Sequence, residues 1–252
     1  MAAIDKVRII VAGDSGLKWH NTITDDKINS LEILKVAGHN IHVAHSVSGV
    51  GKSSVVHLIC HKKPIANPAW TIGCSVEVQL HEYKAGTPDE KTFFIELWDV
   101  GGSSSHKNSR AIFYTPVHGI VLVHDLSNRK SQGNLRKWLA EILNKDHSPS
   151  NNGYEFDPEQ FVGNQIPILV IGTKNDLAEK VRIQGRHRAS SIAEECGADE
   201  DTSQVKSFAP GTSNAVKLSR FFDKVSSVGP PSTHLERRRP LSTYSNKTSH
   251  ID

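Results

Sequence analysis

Cysteine is scarce in this sequence. The three present, Cys60, Cys74 and Cys196, form no Cys-x-x-Cys pair. That excludes a disulfide scaffold and a thiolate zinc cluster, and it suits a reducing compartment. Long apolar runs are missing too. The longest, such as 120–123 and 166–171, fall far short of the ~20 residues needed to cross a bilayer. An excess of one charge is also absent. Thirty Lys+Arg stand against 27 Asp+Glu, a net +3, which is too balanced to argue for nucleic acid. Asp5, Lys6 and Arg8 break up the N-terminus, so it does not read as a secretory signal. The expectation is a soluble cytoplasmic protein. Its 252 residues suffice for a core that needs no staples.

What is there alternates. Short apolar runs at 7–12 (VRIIVA), 119–125 (GIVLVHD) and 166–172 (IPILVIG) read as buried strands. Residues 74–83 and 91–99, joined by turn-forming 84–90, read as an antiparallel hairpin. Helical periodicity marks 53–61 and the stretch through Leu135, Trp138, Leu139 and Ile142. A helix is also expected within 178–196, and a last one is capped by Ser213 with Ala215, Leu218, Phe222 and Val225 inward. The fold class is α/β, a doubly wound and mostly parallel sheet with one antiparallel edge strand. One domain is expected over 1–225, with a long loop at 146–165 and a disordered Ser/Thr/Pro tail at 226–252.

Gly49-Val50-Gly51-Lys52-Ser53-Ser54 holds the Gly-Lys-Ser end of a phosphate-binding loop. Such a loop curls consecutive backbone N–H groups round phosphate oxygens, with a lysine on the outer phosphates and a serine hydroxyl on Mg²⁺. The opening glycine fails, because Ser46 stands in its place. The missing half lies upstream: Gly13-Asp14-Ser15-Gly16 follows the first strand. Joining Gly16 to Val50 gives VRIIVAGDSGVGKSSVVHL, a strand, a complete loop and a helix. Residues 17–49 are then an insertion that splits the loop. Ser-Gly at both edges leaves the cut point open by two residues.

Three further signals follow in order. Thr71 precedes the hairpin and offers a hydroxyl to Mg²⁺. Asp99 ends a strand where it can act on the metal through water, and Gly102 lets its backbone N–H approach the terminal phosphate. Thr173-Lys174-Asn175-Asp176 follows another buried strand. Asp176 can accept both N–H bonds of a guanine edge, and the Lys174 stem can lie along the base. All of these sit beyond the carboxyl ends of strands, where open parallel sheets bind ligands.

With these motifs the chain resembles the Ras-superfamily small GTPases, in particular the Rab-like ones. The carrying stretches are GDSG with VGKSS, NPAWTIGCSVEV, FFIELWDVGG, GIVLVHDL, QIPILVIGTKND and GTSNAVKLSRFFDKV, nearly all of 1–16 and 50–225. The resemblance implies binding of GTP and GDP with Mg²⁺. It implies regulatory or effector proteins as partners and a tendency to homodimerise. By resemblance Lys52 meets the phosphates, Ser53 and Thr71 meet Mg²⁺, Asp99 acts through water, and the last base-contacting loop lies near Asp201 and Thr202.

Departures qualify it. Ser103 stands where active relatives carry the glutamine that orients water, so slow hydrolysis is expected. Thr173 replaces an asparagine, so some loop-fixing hydrogen bonds are expected to change. No cysteine follows Cys196, so no prenyl anchor is expected. For the insertion three explanations stand open. It loops out while the halves of the phosphate loop meet. Alternatively, 41–44 (IHVA) replaces the first strand. Or it is retained intervening sequence read in frame. The competing functional reading is a non-catalytic interaction module whose nucleotide binding the insertion impairs.

Overall fold

The computed structural model describes residues 5–15, 31–36, 39–44, 49–103, 107–143, 166–182, 192–193, 199–201 and 208–228. Along the chain run β1 (Asp5–Ala12), β2 (Leu31–Val36), β3 (His39–Ala44), α1 (Lys52–His61), β4 (Cys74–Tyr83) and β5 (Lys91–Val100). They continue as α2 (Lys107–Arg110) with a 3-10 turn at Ala111–Phe113, β6 (Gly119–Asp125), α3 (Arg129–Leu143), β7 (Ile168–Thr173), α4 (Asn175–Arg182), β8 (Asp199–Asp201) and α5 (Ser213–Val228).

Six strands form one sheet in the order β4-β5-β1-β6-β7-β8. β4 pairs antiparallel with β5, and the remaining pairings are parallel. This is the expected α/β sheet with its antiparallel edge. Period-2 alternation on β1 feeds both faces. Val7, Ile9 and Val11 pack with Val55, Leu58 and Ile59 of α1 and Phe221, Phe222 and Val225 of α5. Ile10 and Ala12 pack oppositely, with Leu135, Leu139 and Ile142 of α3. Each such fully buried aliphatic side chain contributes about 1.5–3 kcal/mol by leaving water.

β1 lies between β5 and β6, so VRIIVA supplies the central strand. IHVA does not replace it. Residues 41–44 belong to β3, which pairs antiparallel with β2 in a separate two-stranded ladder, Leu31 opposite Ala44 through Val36 opposite His39. The insertion, which showed no sustained periodicity, therefore carries its own strand pair.

Several boundaries move. The helix placed within 178–196 starts earlier, because Asn175 and Asp176 already form the first turn of α4. The cap of α5 is Thr212 rather than Ser213, since the Ala215 N–H donates to Thr212 Oγ1 at 3.2 Å. α5 also runs to Val228, so 226–228 are helix and not tail; Ser226 is buried in it. The loop at 146–165 and the tail from 229 onward lie outside the described residues. No described helix is long and apolar enough to cross a membrane.

Candidate functional site

The split loop closes in space. The Val50 N–H donates to the carbonyl oxygen of Asp14 at 3.3 Å, joining the end of β1 to the start of α1. Gly51 then opens α1 at φ 93°, a left-handed conformation that favours glycine. Gly13, Asp14, Ser15, Gly49, Val50 and Gly51 are thus brought together, while Gly16 lies outside the described residues.

Lys52 is buried, and its Nζ donates to Gly13 O at 2.9 Å and Asp14 O at 3.4 Å. Burial pushes its ammonium below the ordinary lysine value. Asp99 and Asp14 pull the other way, and Arg110 adds to the lowering. An ammonium held by two carbonyls in a dry place is poised to exchange them for a stronger anion.

Ser53, Thr71 and Asp99 converge although 18 and 28 positions separate Thr71 from the other two. Asp99 Oδ2 accepts from Ser53 Oγ at 2.6 Å and from Thr71 Oγ1 at 2.8 Å, and the two hydroxyls are 3.0 Å apart. Asp99 Oδ1 is buried without a partner. Two hydroxyls and an orphaned carboxylate oxygen make an all-oxygen set, the donor chemistry that hard divalent cations take. These residues therefore fit Mg²⁺. Gly102 lies against the loop, where an added Cβ would sit 2.5 Å from Gly13 O and Ser15 N. Only a glycine allows that approach.

At the other end of the loop, Thr173 Oγ1 lies 2.5 Å from Val50 O and 3.0 Å from His124 O. Standing where an asparagine is usual, Thr173 ties β7 and β6 to the phosphate loop through its own hydroxyl. Lys174, at φ 56°, sets its Nζ 2.9 Å from Asp125 Oδ2. Burial raises the Asp125 carboxyl, but bonds from Ser127 and the charge of Lys174 outweigh it and hold the carboxyl below its ordinary value. Asp176 is exposed in the first turn of α4, and Asn175 Oδ1 is buried without a partner. Ser54 faces partly outward on α1. Asp201 closes β8 next to β7, and Thr202 lies outside the described residues.

Sequence reasoning missed a second group. Arg110 makes a two-pronged pair with Glu141, Nε to Oε1 at 3.0 Å and Nη2 to Oε2 at 2.9 Å. Its Nη1 also donates to Ser103 O at 3.1 Å, so the strand end bearing Ser103 is clamped onto α3. Tyr114 donates its hydroxyl to Glu141 Oε1 at 2.7 Å, and the Arg110 guanidinium stacks 4.2 Å from the Trp138 ring. Trp138 Nε1 and Asn134 Nδ2 in turn donate to the two carboxylate oxygens of Asp14, at 2.9 and 2.8 Å. No spacing rule connects positions that far apart. Trp138 was legible only as an apolar face residue.

Among known proteins, the Ras family matches residues 43–204. The chain is 47% identical over 237 residues to Rab-like protein 3 of Mus musculus, which covers 89% of this chain and 86% of that protein. The chain belongs to the Ras family of small GTPases. Rab-like protein 3 of Danio rerio is 45% identical over 89% of the chain and 87% of its own length. Small GTPase-like protein LIP2 of Arabidopsis thaliana is 40% identical over 53% of the chain and 41% of its own length. The Ras-family match begins at Val43, downstream of β1, so the central strand of the sheet lies outside it.

Proposed function

We propose that this chain binds GTP and GDP with Mg²⁺, hydrolyses GTP slowly, and acts as a regulatory switch in cytoplasmic signalling or trafficking. The observation that carries the reading is the meeting of Lys52 with Gly13 and Asp14 beside the Ser53–Thr71–Asp99 cluster, despite residues 17–49 between the loop's halves.

In this reading the Lys52 ammonium leaves its two carbonyls for the outer phosphates. The backbone N–H groups at the start of α1 surround the inner phosphates, favoured by the helix's positive end. The Gly102 N–H reaches the terminal phosphate. Ser53 and Thr71 would hold Mg²⁺ through their hydroxyls, and Asp99 beside them would act through water. The ion supplies positive charge that offsets the phosphates' own. Asp176 accepts the two N–H donors of guanine, Lys174 lies along the base, and Thr173 keeps that segment registered with Val50. Asp201 and Thr202 close the base side.

Ser103 has too short a side chain to do the work of the water-orienting glutamine. Turnover then rests on positioning and electrostatics alone, which makes it slow. Regulatory and effector proteins are the partners assigned here, with a second copy of the chain among them. β4 leads out of the Thr71 segment and carries exposed Val76, Val78 and Leu80, an apolar strip suited to such contacts.

The test is fluorescent GDP and GTP binding by the full chain, by the chain with 17–49 deleted, and by Lys52→Ala, with ATP analogues as competitors. Guanine-selective, Mg²⁺-dependent binding by the full chain that Lys52→Ala abolishes is the expected result. Binding by the deletion form alone, or by neither, overturns the reading.

A further inference from the structure

Outside the nucleotide site a second set of donors converges. His57 and His61 lie one helical turn apart on α1, so both rings project from one face. They stack with centroids 4.3 Å apart and planes tilted by 35°. Glu77 meets them from β4, where alternate residues turn toward α1 and α5. Gln79 reaches Lys62 from that same side, and His81 reaches Asp223. One donor atom from each of His57, His61 and Glu77 lies within 4.8 Å of the others.

The contacts inside this cluster leave one Glu77 oxygen unsatisfied, although the Cys60 thiol hydrogen-bonds the carboxylate. Glu77 Oε2 is 2.9 Å from His61 Nε2, yet that oxygen is buried and accepts no hydrogen bond of proper geometry. A buried carboxylate oxygen beside one imidazole, on a carboxylate within 4.8 Å of a second and with no well-formed hydrogen bond to that oxygen, is short of a positive partner. A tetrahedral ion bonded at about 2.0–2.2 Å spaces its N and O donors roughly 3.3–3.5 Å apart. The His61–Glu77 separation of 2.9 Å lies a few tenths of an ångström below that value, and no pair of the three donors is more than 4.8 Å apart.

We propose that His57, His61 and Glu77 form a binding site for a borderline divalent transition-metal ion of the Zn²⁺ class. Two imidazoles and one carboxylate are the donors such an ion takes, whereas Mg²⁺ prefers oxygen alone. The cluster supplies three ligands and leaves a further position for water. A cleft of about 450 Å³, lined by Ser53, Thr71 and Asp99 as well as His57 and Glu77, gives the ion a route in from solvent. The bound ion would pin α1 to β4. It would also place a second cation along the same cleft as the Mg²⁺ donors. The proposal stands on this cluster alone and does not depend on nucleotide binding.

The experiment uses the full chain in excess Mg²⁺, so that hard-cation sites are filled, and titrates Co²⁺ while recording its visible absorption. One equivalent giving an intense tetrahedral or five-coordinate band that Zn²⁺ removes is expected. His57→Ala and Glu77→Gln should each weaken binding at least about 10-fold, and His81→Gln, on the same strand but paired with Asp223, should leave it unchanged. A variant-free measurement guards against misfolding: Zn²⁺, but not Mg²⁺, should protect His57 and His61 from diethyl pyrocarbonate, read by mass spectrometry. Binding that survives both substitutions, the absence of a band at micromolar Co²⁺, or equal modification with and without Zn²⁺ overturns the proposal.

Discussion

The buried ammonium of Lys52 donates to the carbonyl oxygen of Gly13 at 2.9 Å, across 39 positions of sequence. Everything the site needs from its loop depends on that long-range closure. A contiguous loop would have it at no entropic cost. Here closing the intervening segment costs about 3 kcal/mol for a loop of ~33 residues. Deletion of 17–49 should therefore stabilise the protein by up to that amount. Denaturant unfolding of the two forms checks it, and a deletion form less stable than the full chain would mean that the insertion contributes packing of its own.

The Arg110 and Glu141 side chains are 5% and 8% exposed, so removing one partner leaves a charge buried alone. Arg110→Ala or Glu141→Ala should each cost about 3–5 kcal/mol. Arg110→Met combined with Glu141→Leu should cost far less than the sum. Thermal or chemical unfolding of the two single variants and the double reads this directly.

Thr173→Val keeps shape and removes only the hydroxyl that lies between Val50 O and His124 O. It should cost about 1 kcal/mol, or roughly a fivefold faster release of bound nucleotide if the loop's registration sets retention. Stopped-flow release of a fluorescent nucleotide measures it. An unchanged rate with unchanged stability would remove Thr173 from the site.

His124 is 2% exposed on β6, both of its ring nitrogens lack partners, and burial pushes its pKa down to about 4, opposed only by Asp125. In the unfolded chain it titrates near 6.5. As pH falls, the unfolded state therefore takes up the proton first. The contribution is intact above pH 6.5 and is lost on descending to about pH 4, roughly 3 kcal/mol in all. Urea midpoints between pH 7 and 4 should show that loss, and His124→Leu should flatten it.

The sheet was legible because its strands are short apolar runs with turn residues between them. Cys74–Tyr83 and Gly119–Asp125 match the expected spans residue for residue. The convergence of Ser53, Thr71 and Asp99 was legible as chemistry, since Ser53 opens α1, Thr71 precedes β4 and Asp99 lies at the end of β5. Three things were not legible. The start of α4 at Asn175 hides because a binding motif and a helix's first turn share the same polar residues. The β2–β3 ladder hides because His39, Asn40 and His42 mask its alternation. The Asp14–Trp138 and Arg110–Glu141 bonds depend on which helix face meets which loop, and periodicity says nothing of partners 124 and 31 positions away.

β1 pairs with β5 on one side and β6 on the other, and the chain leaves it directly into the segment that splits the loop. A single peptide cut within 17–49 would therefore separate the middle strand of the sheet from the rest without breaking any of its ladder bonds. The protein is laid out for fragment complementation. A short N-terminal peptide ending near Gly16 would supply the central strand, the Gly13 and Asp14 carbonyls and half of the loop, and the body of the chain from Gly49 would supply the remainder.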